Sequence, residues 1–222
     1  MLVMILLAHL LAADIPLVAD HLVTGPNSHV TLTSTANQPI TAWALAVTTH
    51  PGPGRTHREV ETVDGYLSEA THGLAGAPER LERLMPGQSR EIALDPLPDD
   101  ASVEIAAVIL DDGTAIGDEA ILSPMFARRA RERDALGAVV QTFADVLASQ
   151  HGVQALDRLR ARLDGLPNRD EVPCRAAIEA VDTYTQRGAE RTPDQIDESL
   201  RTYAAFVTRE WELAKRAAAR RR

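Results

Sequence analysis

Asp111-Asp-Gly-Thr-Ala-Ile-Gly-Asp-Glu119 is the stretch where residue type and spacing come nearest to chemistry. Asp111, Asp112, Asp118 and Glu119 place four carboxylates within nine residues. Hard oxygen ligands of this kind suit Ca²⁺, or a metal that activates water for hydrolysis. The EF-hand pattern needs ligands at alternate positions, and Gly113 and Ala115 occupy two of those. A solvated turn that leads into a helix is the reading the residues favour, because Asp118 and Glu119 suit the positive end of a helix dipole. The metal site stays as the rival.

Three histidines, His50, His57 and His72, fall in a loop-rich stretch with Glu59 and Asp64. Neutral imidazoles with a carboxylate can bind zinc. No close His pair or Cys partner accompanies them, so solvent-exposed loop histidines are the simpler account. Cys174 is the one cysteine, so no internal disulfide can form. A nucleophilic thiolate needs a basic partner, and only the fold could bring His151 to it; a small buried residue on a helix face is expected instead. The chain has no Gly-x-Ser-x-Gly elbow, Walker loop or dinucleotide fingerprint. No cofactor is implied.

Charge divides the chain. Asp14 to Pro124 carries 17 acidic and 5 basic residues, a balance of −12; Met125 to Arg222 carries 15 and 18, a balance of +3. The acidic half excludes a phosphate-binding surface and hence nucleic acid there. Arginines run through Arg128-Arg-Ala-Arg-Glu-Arg133 and again through Arg220 to Arg222. These strips are expected to be solvated, or to dock on the acidic half of the same or a neighbouring molecule.

The elements that must position these groups follow from periodicity. Residues 1–13 hold the apolar run LVMILLAHLLAA, too short to cross a bilayer as a helix. It reads as a secretory signal closed by small residues, with a buried first element as the alternative. Residues 14–122 alternate at period two between Gly, Pro, Asn and Asp turns, which predicts an antiparallel β-sandwich. His29–Thr35 and Ile40–Thr49 are expected to form a hairpin across Asn37-Gln-Pro39. Trp43, Leu45 and Val47 share one face, with Trp43 as the core anchor. His50-Pro-Gly-Pro-Gly54 predicts a loop, Arg58–Val63 a strand, and Ser102–Leu110 a central strand.

Thr31-Leu-Thr-Ser-Thr-Ala-Asn-Gln-Pro-Ile-Thr-Ala-Trp-Ala-Leu45 and Leu84-Met-Pro-Gly-Gln-Ser89 resemble the strand–turn–strand and Pro-Gly-x-Ser segments of bacterial extracytoplasmic immunoglobulin-like or fibronectin-III-like modules. The resemblance spans about residues 15–120. It implies a sandwich that binds, spaces or scaffolds. The Cys…Trp…Cys spacing of true immunoglobulin domains is absent.

Residues 123–222 switch to helical spacing. Ser123 and Pro124 predict a helix start, followed by Leu136, Val139, Val140, Phe143 and Leu147. Val153, Leu156, Leu159 and Leu163 form a second stripe, and Ala177, Ile178, Val181 and Tyr184 a third. Thr192-Pro-Asp-Gln195 has the spacing of a capping box. Ile196, Leu200, Tyr203, Val207, Trp211 and Ala214 make the fourth stripe, with Phe206 off its face. About four antiparallel helices are predicted.

The sequence therefore predicts an α+β chain: an immunoglobulin/fibronectin-III-like antiparallel sandwich followed by a helical segment. The expected function is that of a non-enzymatic exported interaction or scaffold protein, with a protein partner or self-association, no nucleic acid, and membrane contact only through the leader. The alternatives are a metal-dependent hydrolase or Ca²⁺-binding module built on the Asp111–Glu119 carboxylates, and a cytoplasmic helical adaptor.

Overall fold

The computed structural model of the chain describes residues 14–67, 83–188 and 190–221. The leader segment and His72 lie outside them. Among the described residues are two antiparallel sheets and four long helices. None of these helices is long and apolar enough to cross a membrane.

One sheet has the order β1-β2-β5, formed by β1 (Leu17–Val23), β2 (His29–Ser34) and β5 (Ser89–Ala93). The other has the order β4-β3-β6-β7, formed by β3 (Ile40–Gly52), β4 (Arg55–Asp64), β6 (Ser102–Leu110) and β7 (Ala115–Gly117). Leu17, Val30 and Leu32 of the first sheet share a buried cluster with Trp43, Leu45 and Val108 of the second. The sheets therefore pack face to face, as the period-two patterns require.

The expected β2–β3 hairpin does not form. β2 pairs with β1 and β5, while β3 pairs with β4 and β6. The reason lies in the core. Val30 and Leu32 meet Trp43 across the gap between sheets, which they can do only from the opposite layer. Residues 35–39 carry the chain across, and Pro39, which lacks an N–H, suits this crossing better than a ladder. The loop expected at 50–54 is shorter than predicted. β3 runs on to Gly52 through a register shift after Thr49, and only Pro53-Gly54 turns, with Gly54 at φ +68°.

β3 reads Ala-Trp-Ala-Leu-Ala from Ala42 to Ala46, and both of its faces are buried. Trp43 and Leu45 fill the space between the sheets. Ala42, Ala44 and Ala46 face the other way, against Leu122, Met125 and Phe126. Those residues belong to α1 (Glu119–Leu147). Methyl-sized side chains let the helix backbone lie close to the sheet, and close packing maximises dispersion contact.

α1 starts earlier than predicted. Asp118, not Ser123, is the cap: its Oδ1 accepts from the Ala120 amide at 2.9 Å. Pro124 sits inside the helix on an exposed position. The first turns of α1 cover the sheet. Its later turns carry Leu136, Val139 and Phe143 into a second core with α2 (Gly152–Asp164), α3 (Val172–Gly188) and α4 (Pro193–Ala217). At 1.5 Å per residue this helix is about 43 Å long, and it is the beam on which both halves are built.

The other stripes hold with one exception. Ala155 takes the buried place expected of Val153, which is 52% exposed. The capping box at Thr192 and Gln195 is present in both directions. Asp197 of α4 accepts from the Gly152 amide at 2.7 Å and pairs with His151 at 3.0 Å. One helix thus caps the start of another, and these two contacts hold the Asp197 carboxyl below the usual range.

Candidate functional site

β4 is an edge strand. Among the described residues its one ladder partner is β3. Its first eight residues, Arg55 to Thr62, are exposed on both faces. Such a row of peptide groups is open to a further strand. At the opposite edge of the same sheet, β7 has three residues, and the chain end lies beside it through a Thr114–Arg221 bridge.

Alternation assigns the two faces of β4. Val63 lies opposite Trp43, Glu61 opposite Leu45, and Glu59 opposite Val47, so these residues point between the sheets. Glu59 and Glu61 line an open cleft of about 560 Å³ with Val47, Leu94, Asp95 and Leu97. Partial burial, then the charges of Asp95 and Glu59, push the Glu61 carboxyl above its ordinary range. On the other face, Val60 and Thr62 border a groove of about 360 Å³ against Ile121, Met125, Arg128 and Arg131 of α1.

The groove ends on a buried ion pair. Arg129 is 2% exposed. Its Nε and Nη2 donate to Asp64 Oδ2 and Oδ1 at 2.7 and 2.9 Å. The guanidinium also donates to Thr41 Oγ1 and to the Ala217 carbonyl, each at 3.2 Å. Its carbon lies 5.7 Å from the Tyr66 ring centre and 6.0 Å from that of Phe126. Asp64 Oδ1 further accepts the Tyr66 amide at 3.2 Å, and Leu67 at 3.4 Å. Sheet, α1 and the end of α4 therefore converge on one satisfied fork, the geometry in which arginine surpasses lysine.

Glu132, one turn further along α1, has its Oε1 buried without a hydrogen-bond partner. Burial first, then the charge of Asp64, pushes its carboxyl up to about 7. Tyr66 also has a buried hydroxyl without a partner. Burial and the Glu210 charge push that phenol upward.

The structure separates the four carboxylates of the Asp111–Glu119 stretch. Asp111 accepts from Arg83 at 2.8 Å. Asp112 accepts the Thr114 amide at 2.9 Å and faces Arg221 at 3.4 Å. Asp118 caps α1, and Glu119 takes both Nη groups of Arg220, at 2.7 and 2.5 Å. No group of three His, Cys, Asp or Glu side chains able to hold a metal exists among the described residues. His50 and His57 sit on the exposed β3–β4 hairpin, where Thr56 Oγ1 lies 3.5 Å from His50 Nδ1.

Cys174 is fully buried, 3.9 Å from the Ala135 carbonyl and 3.7 Å from Asn168 Oδ1. Burial pushes its thiol up to about 11, the reverse of what a nucleophile needs. His151 is turned to Asp197 instead.

Three arginines of the basic strips dock on the acidic half of the same molecule: Arg129 reaches Asp64, Arg220 reaches Glu119, and Arg221 reaches Asp112. Arg131 and Arg133 instead face Glu171 and Asp134 of the helical half. The sequence reading missed the buried pair itself. A signal was present, since Arg129 follows Leu122, Met125 and Phe126 at helical spacing and so interrupts an apolar stripe.

Comparison with family models, with curated proteins and with solved structures gives no match for this chain.

Proposed function

We propose that this chain is a non-enzymatic interaction or scaffold protein, exported through its leader, that docks a partner segment along β4. The carrying observation is an edge strand with eight consecutive residues exposed on both faces, and a cleft or groove on each side. Main-chain groups of such an edge supply affinity, and the flanking clefts supply specificity, as in recognition by strand addition. The strand order β1-β2-β5 against β4-β3-β6-β7 supports a fibronectin-III-like module, a scaffold on which loops and edges bind.

The docking reading is tested by selecting a library of random ten-residue peptides on the full chain and mapping each binder by hydrogen exchange. Protection of the β4 amides is expected. Absence of binders, or protection confined to other elements, overturns the docking reading. Export is tested separately by mass spectrometry of the protein from its native host; an intact Met1-Leu2 terminus contradicts it.

A further inference from the structure

Resting on the reading of β4 as a docking edge, we infer that the partner segment is an extended peptide with Lys or Arg at every second position and apolar residues between. Side chains of an added strand alternate between the same two faces as those of β4. On one face they stand beside Glu59 and Glu61, with Asp95 lining the same cleft. Directly opposed cross-strand side chains have Cβ atoms about 5 Å apart, so basic residues there meet carboxylates at close range. On the other face they stand beside Val60 and Thr62, across from Ile121 and Met125. Apolar side chains fit that groove, and basic ones are repelled by Arg128 and Arg131, which line it too.

The same charges disfavour a second copy of this chain. Two β4 strands paired antiparallel in one continuous sheet keep their faces in common. Registers centred near the middle of β4 then oppose Glu59 to Glu59, Glu59 to Glu61, or Glu61 to Glu61. Like charges directly opposed destabilise pairing, and inward-pointing charges are a known guard of sheet edges. A basic, alternating partner turns that guard into recognition.

Three labelled nine-residue peptides distinguish the outcomes by fluorescence anisotropy on the full chain. One alternates Lys and Val, one alternates Glu and Val, and one has the Lys and Val residues of the first in two blocks. The Lys–Val alternating peptide is expected to bind at least tenfold more tightly than either of the others, and to weaken as salt rises. The double variant Glu59→Gln/Glu61→Gln should lose about tenfold of that affinity, near 0.7 kcal/mol for each charge. Arg128→Glu/Arg131→Glu should narrow the preference over the block peptide, because the groove then no longer repels Lys on that face. Both positions are exposed, and an unchanged melting temperature shows that each variant folds.

Equal binding of the block peptide, preference for the Glu–Val peptide, or no response to Glu59→Gln/Glu61→Gln overturns the inference. So does failure of all three peptides. In each case library binders that protect β4 leave the docking reading standing, whereas a library without such binders removes both.

Discussion

Two polar contacts between the sheet half and the helical half are built on opposite terms. At one, Arg129 and Asp64 are nearly sealed, with side chains 2% and 7% exposed. At the other, the chain end lies over the β6–β7 turn, with Arg220 on Glu119 and Arg221 on Asp112, side chains 31–70% exposed. A buried charge whose partner is removed has no water to replace it, whereas an exposed one is resolvated at once. The first contact therefore locks the two halves, and the second mainly aligns the terminus. Backbone bonds add to that alignment: Arg221 N donates to the Gly113 carbonyl at 3.0 Å.

The sharpest break of this contrast is Arg129→Met. It leaves Asp64 buried and unpaired, and about 3–5 kcal/mol of stability should be lost in urea unfolding. Adding Asp64→Leu should restore a large part, because the uncompensated charge then goes. A double variant no more stable than Arg129→Met would mean that the fork to Thr41 and Ala217, not the ion pair, holds the junction.

Ala44→Leu probes the same junction through packing. It forces a larger side chain between β3 and α1, at a cost of about 1–3 kcal/mol. The thermal midpoint should fall, and hydrogen-exchange protection of the first turns of α1 should fall with it. At the exposed contact, Gly113→Ala should cost more than any charge. Gly113 has φ +86°, and an added Cβ would lie 2.2 Å from the Ala219 carbonyl oxygen. The strain of the left-handed backbone alone is on the order of 1 kcal/mol. Selective loss of protection at residues 217–221 is the readout.

Glu132→Gln gives a pH signature of the buried side. The carboxyl binds its proton more tightly folded, at about 7, than at its ordinary 4.5. Between those values the native state holds the extra proton, so this group makes stability fall as pH rises. The variant should be more stable than the parent at pH 8, with the gain shrinking toward pH 4.5. Urea midpoints across that range check it; a pH-independent difference would contradict burial as the cause. The smallest effect belongs to Arg220→Ala. Its exposed pair with Glu119 should contribute under about 1 kcal/mol, and less at high salt.

Much of the fold was legible in the residues. The switch of apolar repeat separates strands from helices as read, and Thr192 and Gln195 form the predicted box. Trp43, at 1% exposure, is the core anchor that its face implied. Turn positions and strand limits were read less well. Pro124 drew the helix start too late because its ring fits a first helical position as well as an exposed one in the next turn. Of the docking edge, the strand was visible but not its position at the rim of the sheet. Pairing partners lie far apart in sequence, and alternation says which side chains share a face without saying what lies alongside.

Taken alone, the amino-acid order determined the element types, the charge division and the apolar faces, because each depends on neighbours within a few residues. Tertiary structure decided that β2 and β3 lie in different sheets, that alanines on β3 seat α1, and that Arg129 finds Asp64. Those outcomes depend on which surfaces exclude water together, a property of the assembled layers and not of any segment.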